Sequence, residues 1–89
     1  MSKDPFENLE IKLKELEYPQ VYLFKFICKS ENQLIARVTS MFNDENKLTM
    51  KPSKNGKYTS ISVKETMLSS DEIMKVYREA AKITGVIIL

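Results

Sequence analysis

Asn55-Gly56 stands between two segments that alternate in polarity, "KLTMKPS" over 47–53 and "KYTSISVK" over 57–64. An Asn-Gly pair in that setting is among the strongest short-range hairpin signals, because both residues tolerate the positive φ that a type I′ turn demands. A two-residue turn at 55 and 56 pairs Lys54 with Lys57 and, stepping outward, Pro52 with Thr59, Met50 with Ile61 and Leu48 with Val63, which puts the apolar pairs on one face. The other face then carries Ser53 opposite Tyr58, Lys51 opposite Ser60, Thr49 opposite Ser62 and Lys47 opposite Lys64. A slip of one residue drives lysines into the core, so the pattern fixes the register. Like charges directly opposite repel, and an acidic neighbour or a bound anion relieves the Lys47–Lys64 pair. Gly56 is explained by turn geometry alone. "SKNGKYTS" has neither the glycine spacing nor the following helix of a P-loop.

The remaining elements follow from period and punctuation. Asp4, Pro5 and Glu7 read as N-cap, first helical position and reciprocal cap of an amphipathic helix over 5–17, with Phe6, Leu9, Leu13 and Leu16 on one face. Pro19 pushes Tyr18 toward an extended conformation and ends that helix. "VYLFKFICK", 21–29, is rich in β-branched and aromatic residues and reads as a strand, with Tyr22, Phe24, Phe26 and Cys28 inward and Leu23, Lys25 and Ile27 outward. Leu34, Ile35, Val38, Met41 and Phe42 follow helical spacing from a Ser30 cap, and "NDENK" is a polar loop. Ser69 and Glu72 form a capping box for a helix whose apolar stripe includes Ile73, Met74, Val76, Tyr77, Ala80, Ala81 and Ile83. Gly85 suits a left-handed cap to that helix, and "VIIL" is a short closing strand.

The order is a helix followed by β-α-β-β-α-β, which predicts an α+β fold of the ferredoxin-like kind: a four-stranded antiparallel sheet with two helices on one face. Right-handed crossovers place the first and third strands in the middle and the second and fourth at the edges. A chain of 89 residues holds one domain of this sort, with residues 1–89 divided into the 5–17 helix and a 20–89 core.

Composition narrows the chemistry. The apolar content of 43% and charged content of 29% are those of an ordinary globular chain. No apolar run reaches the ~20 residues of a membrane-spanning helix, and "MSKDPFENLE" lacks the apolar centre of a secretory signal, so the expected location is the cytoplasm. With no histidine and one cysteine, the usual zinc constellations and histidine-based catalysis have no residues to use, and no cofactor motif is present. Cys28, set among apolar strand residues, reads as a small core side chain. The net charge of +2 conceals an asymmetry: residues 47–64 hold five lysines and no Asp or Glu, while the remainder holds 9 basic and 12 acidic residues. Such a cluster serves either an anionic partner or the solvation and edge protection of the sheet.

"YP" before an aromatic first strand, "KPS…GKYTSISV" across the hairpin and "VYREAAKITGVIIL" at the end together resemble the YbeD-like family of small bacterial proteins, from Tyr18 onward. The family's signature positions correspond to Pro52, Ser53, Gly56, Tyr58, Ser60 and Ser62. Its pattern often has a second serine after the first, where this chain has Lys54. The resemblance implies a ferredoxin-like fold similar to the regulatory ACT domains that bind amino acids, and no established activity.

Three functional classes remain. The first is a non-catalytic regulatory or interaction module, binding a small ligand or protein through Lys51, Ser53, Tyr58, Ser60 and Ser62, or forming a homodimer through the unguarded apolar edge strand at Val86–Leu89. The second is RNA binding on the open sheet face, against which the inward aromatics Tyr22, Phe24 and Phe26 and the single aromatic of the third strand both count. The third is an enzyme, which would have to work with Lys25, Lys51, Tyr58 and the serines, no carboxylate or imidazole base being placed beside them. The sequence favours the first. The same open face is also a place where the N-terminal helix could bury its apolar stripe.

Overall fold

The computed structural model describes residues 6–42 and 47–89. Asp4 and Pro5 of the expected first cap, and residues 43–46 of the polar loop, lie outside the described residues. Along the chain run α1 (Glu7–Lys14), β1 (Gln20–Lys29), α2 (Asn32–Thr39), β2 (Leu48–Pro52), β3 (Tyr58–Met67), α3 (Ser70–Ala81) and β4 (Val86–Ile88). The four strands form one antiparallel sheet in the order β2-β3-β1-β4, the ferredoxin-like arrangement with β1 and β3 central.

Alternation along β1 and β3 decides which face the helices cover. Tyr22, Phe24, Phe26 and Cys28 pair with Glu65, Val63, Ile61 and Thr59 on one side, and of these Phe24, Phe26, Val63 and Ile61 are wholly buried. Val38 of α2 and Ile73, Met74, Tyr77 and Ala80 of α3 close over them. Each fully buried Phe or Ile contributes about 1.5–3 kcal/mol relative to exposure. Phe24 and Phe26 stack with ring centroids 6.4 Å apart, and Tyr77 meets Phe24 edge-on at 5.5 Å. The aromatic residues of β1 are therefore core.

The hairpin has the predicted register, with Leu48 opposite Val63, Met50 opposite Ile61 and Pro52 opposite Thr59, but its turn is of another kind. Asn55 does not take a positive φ; Gly56 alone does, at 73°. The Ser53 carbonyl accepts from the Gly56 N–H at 3.0 Å, and the Ser53 N–H donates to the Tyr58 carbonyl at 2.8 Å, which makes a four-residue loop. The Asn55 side chain stabilises it by accepting from the Lys57 N–H at 3.0 Å. The two-residue and four-residue loops place the same residues opposite one another, so the register survives the change of turn.

Three local expectations are corrected. Ser30 does not cap α2: its N–H donates to the Lys57 carbonyl and its hydroxyl meets that of Thr59 at 2.8 Å, so Ser30 still belongs to the β1–β3 ladder and the helix starts later, with Glu31 at the N-cap. The first helix runs from Glu7, with Phe6 at its N-cap, to Lys14 rather than over 5–17, and Leu16, beyond its last turn, is exposed. Gly85 does not cap α3, which ends at Ala81 with Lys82 as C-cap; it takes a φ of 91° in the turn that opens β4. By contrast, the Ser69 hydroxyl accepts from the Glu72 N–H at 3.2 Å, as the capping box requires.

The position of α1 matters most for function. It packs on α3, with the Phe6 ring 6.0 Å from that of Tyr77, the Arg78 guanidinium 5.8 Å over the Phe6 ring, and Glu10 3.8 Å from Arg78. Leu13 joins the core, and its carbonyl accepts from the Tyr18 hydroxyl at 2.7 Å across the cis Tyr18–Pro19 connection. All three helices thus lie on one side of the sheet.

Candidate functional site

The uncovered face is built from the outward positions of four strands, and the register arranges them in rows. Lys51, Ser60, Ile27 and Ile87 form one row across the sheet. Thr49, Ser62 and Lys25 form the next, to which Leu89 is attached by its N–H bond to the Lys25 carbonyl at 3.0 Å. Lys64 and Leu23 follow, then Thr66 and Val21, while Tyr58 and Lys29 close the opposite end. The face is apolar on the β1–β4 side and basic and hydroxyl-bearing on the β3–β2 side.

Burial confirms that nothing in the described chain lies over it. Val21 is 63% exposed, Leu23 52%, Ile87 54% and Leu89 59%. Lys25, Lys29, Lys47, Lys51 and Lys64 accompany them, no strand position on this face is Asp or Glu, and none of these lysines makes an ion pair among the described residues. Glu31 lies only at its margin, past the end of β1, in a shallow depression with Lys29, Lys57 and Tyr58.

The five candidate contact residues do fall on this face, in two groups. Lys51, Ser53, Tyr58 and Ser60 line a shallow depression of about 200 Å³ with Ile27 and Pro52. Ser62 belongs to a second, of about 350 Å³, with Leu23, Lys47, Thr49 and Lys64. Their hydroxyls are not equivalent. The Ser53 oxygen donates to the Asn55 side-chain oxygen at 3.0 Å and accepts from the Tyr58 N–H at 3.1 Å, so it is engaged in the turn. Ser60 donates to the Lys51 carbonyl at 3.3 Å, a long bond, and the Ser62 hydroxyl has no hydrogen-bond partner among the described residues.

Sequence reasoning missed Lys29, Ile87 and Leu89 as members of the face. Lys29 was detectable by extending the β1 alternation one step; the β4 residues were not, because four apolar residues in succession carry no period.

The groups with displaced pKa values lie elsewhere. Burial, reinforced by the hydrogen bond between its hydroxyl and that of Tyr22, holds the Tyr77 phenol well above the ordinary tyrosine value, and burial raises Tyr18. The Cys28 thiol is raised by burial and by the nearby Glu31 carboxylate, which suits an inert core residue rather than a nucleophile. A larger depression, about 540 Å³, is also on the other side of the sheet, where Met41, Met67 and Val76 meet Glu65, Glu72, Lys75 and Glu79, and it contains none of the five candidates. Among the described residues no cluster of Cys, Asp and Glu is placed to hold a metal ion, and no helix is long and apolar enough to cross a membrane.

Sequence comparison places the chain in a family. Residues 14–89 match the model of the family described as "Protein of unknown function (DUF493)". The chain is 32% identical over 83 residues to a UPF0250 protein of Shewanella oneidensis and 31% identical to one of Shewanella halifaxensis, each match covering 88% of this chain and 94% of the relative. No solved structure gives a significant match. These comparisons define a class of small proteins whose family is described as of unknown function. The chain belongs to the DUF493 family, in which YbeD also falls.

Proposed function

We propose that this protein is a non-catalytic binding module whose open sheet face receives an acidic, partly apolar segment of another protein. One observation carries the reading: a sheet face left bare by all three helices combines four half-exposed or more exposed aliphatic side chains with five lysines and no strand carboxylate. Exposed aliphatic groups gain from being covered, and a single sign of charge selects a partner of the opposite sign. Lys51, Tyr58, Ser60 and Ser62 supply charge, an aromatic surface and hydroxyls on the β3–β2 side of that face, while Ser53 supports them through the turn.

Two features favour this reading over catalysis. The tyrosines and cysteine with displaced pKa values belong to the helix-covered side, and among the described residues no carboxylate lines the depressions that hold Lys51, Ser53, Ser60 and Ser62, Glu31 reaching only the margin beside Tyr58. An RNA-binding sheet needs aromatic platforms on its central strands, and here only Tyr58 faces outward from them.

A short peptide alternating Glu and Leu is a suitable probe, with a Lys-Leu peptide as control. The acidic peptide should bind, weaken as salt is raised, and lose about tenfold in affinity, or ~1.4 kcal/mol, in the Lys51→Glu/Lys64→Glu double variant. Equal binding of both peptides, or an unaffected double variant, contradicts the proposal.

A further inference from the structure

The two edges of the sheet are made differently, and the difference points to self-association. At the β2 edge, the Ser53 N–H bonds to Tyr58, so the backbone groups of Leu48, Met50 and Pro52 are the ones that point away from the sheet. Pro52 has no N–H to offer there, and Lys47 and Lys51 place charge along the same strand. A proline and charged side chains are how natural sheets block strand addition. At the β4 edge, the Leu89 N–H bonds to the Lys25 carbonyl, so Ile87 also faces β1 and the N–H and C=O groups of Val86 and Ile88 point outward. Neither charge nor proline interrupts Val86–Leu89.

We infer that β4 pairs with β4 of a second copy, antiparallel across a two-fold axis at Ile87, to make one continuous eight-stranded sheet. This register is self-complementary: Val86 of each copy exchanges two hydrogen bonds with Ile88 of the other, four in all, which satisfies every outward group of the strand. The open-face row becomes symmetric, running Lys51, Ser60, Ile27, Ile87 and then the same residues in reverse, so the exposed Ile87 side chains cover each other. Charge favours this edge over the other. With strands about 4.8 Å apart, the β2 lysines of the two copies are separated by roughly 34 Å, several times the ~8 Å Debye length at physiological salt. Joining the β2 edges instead brings those lysines together.

Two strands of three residues bury less than the ~1,200 Å² of a standard interface, so the dimer should be concentration-dependent, in the micromolar range or weaker. Sedimentation equilibrium of the full chain up to millimolar concentration should show a monomer–dimer equilibrium. Ile87→Lys, at an exposed position that leaves the fold intact by circular dichroism, should raise the dissociation constant about tenfold or more. Register is tested by Ile87→Cys: residues facing each other on the axis form a non-hydrogen-bonded pair with Cα atoms about 4.5 Å apart, within disulfide range. Its oxidation to a covalent dimer should outpace that of Leu68→Cys, at a similarly exposed site away from β4. A wild-type chain that stays monomeric, a dimer unaffected by Ile87→Lys, or equal oxidation rates at 87 and 68 overturns the inference.

Discussion

The hydroxyls of Tyr22 and Tyr77 meet at 2.9 Å, joining the outer part of β1 to the middle of α3. Their rings cross edge-on at 6.2 Å, and the Phe6 ring lies 6.0 Å from that of Tyr77. The contact lies on the helix-covered side, where Ile73, Met74, Tyr77 and Ala80 of α3 and Leu13 of α1 join the core, and it fixes α3 to β1 there. Tyr77→Phe removes the hydrogen bond but keeps the ring, and half-buried Tyr22 can turn to water, so the expected loss is about 1 kcal/mol in urea unfolding. Tyr77→Ala, which empties the space under α1, should cost about 3–5 kcal/mol.

The same pair sets a pH dependence. The Tyr77 pKa is raised above the ordinary 10.0 by burial and by the Tyr22 hydroxyl. Above pH 10 the unfolded chain therefore gives up this proton while the folded chain keeps it, so the unfolded state gains and stability falls as pH rises. The contribution is fully present below pH 10, and its loss has a limiting slope of about 1.4 kcal/mol per pH unit for one proton. Unfolding curves compared between pH 9 and 11 should show this component in the wild type and lack it in Tyr77→Phe.

Gly56 tests the turn in isolation. A Cβ there meets nothing within 4 Å, so Gly56→Ala suffers only from its left-handed φ of 73°. The expected cost is about 1–2 kcal/mol. For a domain of this size each kcal/mol lowers the melting temperature by about 4–8 °C. Gly56→Asn should lose less, since asparagine tolerates that conformation.

Ser53 and Lys51 separate support from contact. Ser53→Ala removes the hydroxyl that accepts from the Tyr58 N–H and should destabilise the hairpin by about 1 kcal/mol. With Tyr58 still in the strand, binding of the acidic peptide should change little. Lys51→Ala and Tyr58→Ala should do the reverse, lowering affinity several-fold with little change in unfolding, because both side chains are exposed. Peptide titration beside thermal melting distinguishes the two patterns.

Cys28 is 1% exposed and its thiol pKa is raised, so a thiol reagent at neutral pH should label it slowly in the folded chain and rapidly in denaturant. Rapid labelling without denaturant contradicts its place in the core.

Much of this fold was legible because period-two alternation is itself the physics of a half-buried sheet. Phe24 and Phe26 against Leu23 and Lys25 showed which side of β1 is covered, and the polarity of 47–64 fixed the hairpin register. The turn type was not legible, since both candidate loops give the same pairing and the choice rests on the side-chain bond from Asn55 to the Lys57 N–H. Ser30 misled because a serine three residues before a glutamine has the spacing of a cap, while its actual partners, Lys57 and Thr59, lie just before and within β3. The site of α1 depends on Phe6 reaching Tyr77, a contact between distant segments that no local pattern encodes. For the open face, the β1 and β3 residues followed from alternation, whereas Ile87 and Leu89 needed the observed pairing of β4 with β1.

The central claim is that the bare sheet face is the binding surface. It is tested most directly by an amide NMR titration of the labelled protein with the Glu-Leu peptide, and with pooled amino acids, nucleotides and a short oligoribonucleotide as comparisons. The account predicts saturable shifts with the acidic peptide at Leu23 to Ile27 and Lys51 to Ser62, with α1 and α3 unmoved. Shifts confined to the helical side, or saturation only by the oligoribonucleotide, contradict it.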